Sequence, residues 1–249
     1  MDMEHRGPRP PDTDPSSGTA HRERQTLIFD ADDTLWENNI LFERVVDDFI
    51  GWMDHPTLDR AAIRAILNDI ERANVVAHGY GVRGFLESLA DTFAQLNERP
   101  TSAAERRSIE ELAQDLIEMR IDLVPGVDET LAFLHQRHEL LLLTKGREED
   151  QQKKIEISGL GHYFDEIVIV PEKDVQVYED LAARRGLDRS LSWMIGNSPK
   201  SDILPALAAG MRAVFIPNDN TWQLEHAEFD PADDRVITVL AFPDLLTYF

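Results

Sequence analysis

The sequence predicts an α/β protein, with a Rossmann-like parallel sheet covered by helices and an all-helical domain inserted into it. Three features of the 249-residue chain support this fold class. A short apolar run at residues 26–29 is long enough for one buried strand. Residues 39–123 then show helical patterns and no comparable run. From residue 125 onward, helical and strand patterns alternate, which is typical of a parallel sheet with helices on its faces.

The helical block follows the first strand. Apolar residues recur at three- and four-residue spacing around residues 42–49 and 63–70, as they do on the buried face of a helix. The same pattern covers residues 82–96 and 103–119, with a breaker stretch ending at Pro100 between them. We therefore expect four consecutive helices, which can pack as a bundle.

The alternating part begins after Pro125-Gly126. Its predicted elements are a helix at 127–136, a strand at 140–143, a helix at 148–158, a strand at 167–170, a helix at 175–185, a strand at 193–195, a helix at 203–209 and a strand at 213–216. One strand followed by a long helical block cannot form a sheet alone, so the first strand belongs with these later strands. We therefore predict an α/β core made of residues 25–36 and 125–249, a helical insertion at 37–124 and a flexible tail at 1–24.

The composition restricts the classes of partner. A formal charge of −22 argues against binding to nucleic acid or an anionic membrane, since both need clustered Lys and Arg. Without cysteine, the chain has no disulfide, thiolate zinc site or cysteine nucleophile. No apolar run reaches membrane-span length, and the first 24 residues lack the apolar centre of a secretory signal. We expect a cytoplasmic protein that acts on small molecules.

Polar residues follow the predicted strands at their carboxyl ends, where ligands bind in an open parallel sheet. In chain order they are Asp30, Asp32 and Thr34, then Thr144, then Lys173, then Asn197 and Asp202. Aspartates, a hydroxyl and an ammonium on one rim are what metal-assisted phosphoryl transfer requires. A negatively charged substrate on so acidic a chain also needs a divalent cation or local Lys and Arg.

In this order the residues resemble the haloacid dehalogenase-like (HAD) hydrolase superfamily. Its signatures are an Asp-x-Asp-x-Thr loop, a Ser or Thr, a Lys and a final acidic motif, and the resemblance covers residues 26–217. The helical block falls where one subgroup of that family inserts its cap domain. The resemblance implies a HAD-like catalytic core, a cap at 37–124, and Mg²⁺-dependent hydrolysis of a small phosphorylated metabolite through an aspartyl-phosphate.

The resemblance also implies a role for each matching residue. Asp30 corresponds to the nucleophile and Asp32 to the acid/base, while Thr34 positions their loop. Thr144 and Lys173 correspond to the phosphate-binding hydroxyl and ammonium. Lys153 and Lys154 compete with Lys173 for that role, but both fall within a predicted helix, where a surface lysine is the simpler interpretation.

The metal set implied by the resemblance is the Asp30 carboxylate, the backbone carbonyl of Asp32 and the Asp202 carboxylate, all hard oxygens that suit Mg²⁺. Asn197 stands where many family members carry Asp. Its neutral amide makes it a weak ligand, or a residue that acts on the metal through its neighbours.

Substrate selection is expected in the cap. The stretch of residues 77–84 lies between two predicted helices and contains Tyr80 and Arg83 among turn glycines. In family members with this cap, such a loop closes over the site, so Tyr80 and Arg83 are candidates to contact the leaving group. An ordinary helix-joining turn is the alternative. For the whole chain, the alternatives are a phosphomutase of the same family and an acidic interaction module without turnover.

Overall fold

The computed structural model describes residues 23–230 and 232–249, so residues 1–22 of the predicted tail lie outside the described residues. The strands are β1 (Thr26–Phe29), β2 (Trp36–Glu37), β3 (Asp122–Leu123), β4 (Glu139–Lys145), β5 (Glu166–Val170), β6 (Ser192–Gly196), β7 (Arg212–Phe215) and β8 (Val236–Thr238). The α-helices are α1 (Asn39–Met53), α2 (Arg60–His78), α3 (Val82–Leu96), α4 (Ala103–Leu112), α5 (Gln114–Ile117), α6 (Val127–Leu134), α7 (Glu148–Ser158), α8 (Val175–Arg185) and α9 (Leu204–Ala208). The predicted α/β fold class is confirmed.

The main sheet has the order β5-β4-β1-β6-β7-β8, and its neighbouring strands all run parallel. Strand β1 lies in the middle, with Phe29 level with Leu142 of β4 and Ile195 of β6. After β1 the sheet grows first on the β4 side and then on the β6 side. The carboxyl end of β1 is therefore at the topological switch point, where such sheets bind ligands.

Strand β1 is buried on both faces of the sheet. Leu27 and Phe29 belong to one apolar cluster with Leu131 of α6, whereas Ile28 belongs to another with Tyr178 of α8. Successive side chains of a strand point to opposite faces, so an uninterrupted apolar run needs helices on both sides. This burial fixes the position of the residue that follows the strand.

The helical block has an apolar cluster of its own, whose buried members run from Val45 to Leu116. Four of its helices lie close to the predicted positions, but the predicted helix at 103–119 is divided. It ends at Leu112 and continues as the short α5, with both Ala113 and Leu116 buried. Within the described ranges, no helix is long and apolar enough to cross a membrane.

The sequence patterns did not predict β2, β3 or β8. Strands β2 and β3 form an antiparallel pair in which Trp36 lies opposite Leu123. The Val124 amide also donates to the Leu35 carbonyl at 3.0 Å. Two residues are too few for a recognisable period. The pair holds the beginning and the end of the helical block side by side.

Candidate active site

The loop after β1 forms a tight turn that is closed by backbone hydrogen bonds. The amides of Thr34 and Leu35 both donate to the Ala31 carbonyl, at 3.2 and 2.8 Å. Asp33 has a left-handed backbone, with φ of 63°, and its carboxylate accepts hydrogen bonds from the amides of residues 38 and 39 at the start of α1. Burial, the largest effect, raises the pKa of Asp33 to about 7. Asp33 therefore ties the strand-end loop to the first inserted helix.

Thr34 holds the Asp30 carboxylate in place. Its hydroxyl lies 2.9 Å from Asp30 Oδ2 and 3.3 Å from Asn197 Oδ1. The Asn197 amide group in turn donates to the Thr221 hydroxyl at 2.9 Å. Asn197 is thus already engaged by hydroxyl groups on two sides, and it connects the loop after β1 to the loop after β7.

Lys173 lies between the carboxylates of Asp30 and Asp202. Its Nζ atom is 2.5 Å from Asp30 Oδ1 and 2.8 Å from Asp202 Oδ1, and the Lys173 side chain is 1% exposed. Burial alone would lower the pKa of Lys173, but the charges of Asp202 and Asp30 raise it above its usual value. The lysine therefore remains an ammonium, which balances two carboxylates in a site shielded from water.

Asp202 is completely buried in the turn that precedes α9. The Ser198 amide donates to Asp202 Oδ2 at 2.9 Å, while Oδ1 accepts from Lys173. Gly196, the last residue of β6, leaves the space for this carboxylate. A Cβ atom at Gly196 would lie 2.2 Å from Asp202 Oδ2.

Asp32 is surrounded by donors, one of which the sequence analysis interpreted differently. Lys154 Nζ lies 2.8 and 2.9 Å from the two Asp32 oxygens, and the Trp36 indole donates to Oδ1 at 2.7 Å. The surface interpretation of Lys154 is therefore wrong. A helical side chain points back toward the helix N-terminus, and α7 starts just after the β4 rim, so Lys154 reaches the site from mid-helix. Its neighbour Lys153 is exposed.

Thr144 lies at the same rim and is 1% exposed. Gln151 Nε2 lies 2.5 Å from the Thr144 hydroxyl and 3.2 Å from Asp32 Oδ2. Gln151 thus connects the loop after β1 to the end of β4. Nothing in the sequence pattern distinguishes this glutamine from the exposed Gln152 beside it, because only the rotation of α7 separates them.

A second polar network supports the loop that carries Asp202. Glu225 accepts hydrogen bonds from Lys145 Nζ at 2.5 Å and from the Ser198 hydroxyl at 2.7 Å, and it also contacts the Ser201 hydroxyl. Burial would raise the pKa of Glu225, but Lys145 and the serine hydroxyls hold it below its usual value. Glu225 lies in a loop without a recognisable motif, so nothing in the sequence indicated that it belongs to the site.

The rim residues open into a cavity of about 190 Å³ shared with the helical block. Tyr80 lines it, and its hydroxyl donates to Glu172 Oε2 at 2.6 Å while its ring lies 4.5 Å from Lys145 Nζ. Burial and Glu172 raise the pKa of Tyr80, so its hydroxyl remains a donor. Arg83 is exposed and is not among the residues that line this cavity. The structure brings Tyr80 to the site but not Arg83.

The rim offers a sparse set of oxygen donors for a metal ion. Among residues 23–230 and 232–249, no group of three or more His, Cys, Asp or Glu side chains is placed to hold a metal ion. Asp30 and Asp202 nevertheless direct carboxylate oxygens at one common cation, the Lys173 ammonium. Mg²⁺ is often bound by one or two carboxylates and keeps several waters, so this sparse set of hard oxygens fits Mg²⁺.

Comparisons with known proteins identify the family and the fold. A family model described as haloacid dehalogenase-like hydrolase matches residues 25–210. A haloacid dehalogenase-like family hydrolase of known structure from Xanthomonas campestris is 26% identical, with a TM-score of 0.74, and the match covers 90% of this chain and 95% of that one. The resemblance found in the sequence is confirmed.

Two curated relatives are phosphatases. A glyceraldehyde 3-phosphate phosphatase from Methanothermobacter thermautotrophicus is 30% identical over 120 residues, which are 45% of this chain and 53% of that protein. A phosphoserine phosphatase from Thermus thermophilus is 26% identical over 218 residues, or 76% of this chain and 87% of that protein. The chain thus matches about half the length of the first relative and most of the second.

The close approach of Gly196 to Asp202 yields a prediction about stability. Gly196→Ala places a methyl group against a carboxylate that Lys173 and the Ser198 amide hold in place, so the free energy of unfolding should fall by about 1–3 kcal/mol or more. Urea unfolding followed by circular dichroism measures this change. The control is Gly51→Ala in α1, where no heavy atom lies within 4 Å of the new Cβ and helix propensity favours Ala. Equal effects of the two substitutions would contradict the prediction.

Proposed function

The chain belongs to the haloacid dehalogenase-like hydrolases, and from that premise we propose that it hydrolyses phosphate monoesters of small metabolites through an aspartyl-phosphate on Asp30. One observation carries the proposal: a buried ammonium, Lys173, holds the Asp30 carboxylate at the switch point of the sheet and links it to a second buried carboxylate, Asp202. The phosphatase names of both curated relatives support it, since glyceraldehyde 3-phosphate and phosphoserine are small phosphorylated metabolites.

In the first step, a carboxylate oxygen of Asp30 attacks phosphorus from the side opposite the leaving group. A bond forms between Asp30 and phosphorus, and the bond from phosphorus to the ester oxygen breaks. Asp32 supplies a proton to the departing alkoxide. A carboxylate is already a nucleophile at neutral pH, so Asp30 needs no general base. In this proposal, Lys173 and the Thr144 hydroxyl stabilise the equatorial phosphoryl oxygens.

In the second step, water attacks phosphorus of the aspartyl-phosphate. Asp32, now a carboxylate, removes a proton from that water. The bond from phosphorus to Asp30 breaks, inorganic phosphate is released and the Asp30 carboxylate is restored. Lys154 holds the Asp32 carboxyl group where it can reach both the leaving oxygen and the attacking water. Its ammonium contacts both Asp32 oxygens and the Asn38 side chain.

The Mg²⁺ ion in this proposal would be held by the carboxylates of Asp30 and Asp202 and the backbone carbonyl of Asp32. When bound, it neutralises charge on the phosphoryl group. Asn197 is proposed to act on it through Thr34, to which its amide oxygen is linked. Thr34 itself keeps Asp30 oriented toward the substrate.

We also propose that residues 37–124 act as a cap on a core made of residues 25–36 and 125–249. The separate apolar cluster of the helical block supports this division. Tyr80 supports a closing role, since it lies within the block yet donates to Glu172, next to Lys173. When the cap covers the rim, water is excluded except for the molecule that attacks the phosphoenzyme.

The metal proposal predicts that activity depends on Mg²⁺. Phosphate release from a small ester should fall to background after treatment with a chelator and return when Mg²⁺ is added. Mg²⁺ alone should also raise the melting temperature of the wild type, since it binds the folded state, and should raise that of Asp202→Asn much less. Turnover that resists the chelator, or an equal thermal shift in both proteins, would count against the metal set.

The two loop aspartates should fail at different steps. Asp30→Asn removes the nucleophile, so no base-labile phosphoenzyme should form and turnover should vanish. Asp32→Asn keeps the nucleophile but loses the proton shuttle, so hydrolysis of an alkyl phosphate should fall far more than hydrolysis of an activated aryl phosphate. With the aryl ester, phosphoenzyme should accumulate because the attack of water is slow.

Rapid quench with labelled substrate measures both the amount of phosphoenzyme and the rate of turnover. Phosphoenzyme on Asp30→Asn, or none on Asp32→Asn, would overturn this division of labour.

Alanine substitutions of Lys173, Lys154 and Lys153 should give three different patterns of rate loss in the same assay. Lys173→Ala removes the cation beside the phosphoryl group and should slow all esters alike, by roughly 100-fold or more. Lys154→Ala disturbs Asp32, so its effect should depend on the leaving group and be larger for the alkyl ester. Lys153→Ala is the matched control, because that side chain is exposed and should leave both rates unchanged. A common factor for both esters in Lys154→Ala would remove Lys154 from the acid/base step.

A further inference from the structure

Glu71 of α2 is a buried carboxylate that the proposed reaction does not use. Glu71 lines the same cavity as the strand-end residues, and it is 8% exposed. The Trp222 indole lies near the Glu71 carboxylate, and Glu71 Oε2 has no hydrogen-bond partner in the described structure. A buried oxygen without a partner carries a desolvation penalty, which a ligand with a donor at this position would remove.

The charges around Glu71 favour a cationic ligand. Arg64 also lines the cavity, but its guanidinium is already paired with Glu43 at 2.6 Å and bonded to the Asn68 side chain at 3.0 Å. Within the helical block, the carboxylates that line the cavity are Glu43 and Glu71, and the guanidinium groups are Arg64 and Arg120, the latter 3.9 Å from Asp115. Each of these guanidinium groups thus has an acidic partner other than Glu71. Burial raises the pKa of Glu71 to about 7, with Arg64 opposing this and Glu43 adding to it, as expected of a carboxylate short of a counter-charge.

The neighbouring walls are apolar. Phe42, Val75 and Phe85 line the part of the cavity contributed by the helical block. A ligand that reaches from Asp30 to Glu71 would therefore need a phosphate at one end, a short apolar chain between, and a cation at the other end. A hydroxyl group could donate to the free Glu71 oxygen but would leave its charge unbalanced.

We infer that Glu71 binds an ammonium group on the leaving alcohol, so that the preferred substrates are phosphate esters of amino alcohols. The inference rests on the proposed phosphatase function for its chemistry, since the phosphate must sit at Asp30. It goes beyond that function because it specifies that the leaving group of the substrate is positively charged. Glu71 would act in binding and not in the proton transfers.

Phosphonates test the inference without turnover, because their carbon–phosphorus bond is not hydrolysed by this chemistry. Calorimetric titrations in the presence of Mg²⁺ would compare 3-aminopropylphosphonate and 4-aminobutylphosphonate with the alkyl- and hydroxyalkylphosphonates of the same lengths. The wild type should bind at least one amino compound about tenfold to 100-fold more tightly than its alkyl counterpart, as a charged hydrogen bond in a shielded site allows. The hydroxyl compounds should lie close to the alkyl ones.

The variant Glu71→Gln keeps the shape of the side chain and removes its charge. The preference for the amino compounds should fall to within about twofold, while the affinity for the alkylphosphonates stays unchanged. The matched control is Glu111→Gln in α4, which removes one carboxylate from an exposed position of the same helical block that does not line the cavity, and should keep the preference.

Three results would overturn the inference: no preference at either chain length in the wild type, a preference that survives Glu71→Gln, or equally tight binding of the hydroxyl compounds. Its failure is distinguishable from failure of the proposed function. A protein with the amino preference that releases no phosphate from any ester would refute hydrolysis and retain the ammonium site. A protein that hydrolyses esters but shows no preference for the amino compounds would refute the ammonium site and retain the proposed hydrolysis.

Discussion

The ion pairs of Lys173 with Asp30 and Asp202 are the interaction on which the geometry of the rim depends. Two ionised carboxylates can be buried together only if a cation balances them, and a buried ammonium without a carboxylate would also be unfavourable. The three residues come from different places: the end of the central strand β1, the loop after β5 and the turn after β6. The charge balance therefore fixes three loops relative to one another.

Further polar groups extend this arrangement outward. Thr34 and Asn197 connect the loop after β1 to the loops after β6 and β7, and Gln151 connects it to β4. Glu225 joins Lys145, at the end of β4, to Ser198 and Ser201, which precede Asp202 in the chain. Each connection satisfies a buried polar group, and together they leave the rim few alternative arrangements. Such preorganisation matters for phosphoryl transfer, in which most of the stabilisation comes from positioned charges.

The residues that follow apolar strands were the ones that sequence reasoning could place. Asp30 and Thr144 come directly at the ends of runs of buried residues, and in a parallel sheet the carboxyl ends of the strands share one edge. Lys154 and Gln151 reach the same edge from α7, so their position depends on the rotation of a helix that shows little amphipathic pattern. The positions of the strand ends in the sequence do not determine how α7 is rotated about its axis.

Residues contributed by long-range docking were beyond the sequence patterns for a related reason. Glu225 lies in a loop without a motif, and Glu71 looks like any charged residue of an amphipathic helix. Their burial arises only when the loop containing Trp222 packs against the rim and α2. Arg83 shows the opposite case: the turn glycines made both Tyr80 and Arg83 candidates, but only Tyr80 lines the cavity, because the direction of a side chain within the loop is a tertiary property.

The pairing of β2 with β3 has a consequence for how such a protein can diversify. Because Trp36 and Leu123 are neighbours across this ladder, the two ends of the helical block lie side by side, as the ends of a closed surface loop do. The entropy of closing a loop grows only slowly with its length, so the ladder tolerates insertions of very different size and sequence. Replacement of this block by one of a different length would therefore leave the strands that close it in place.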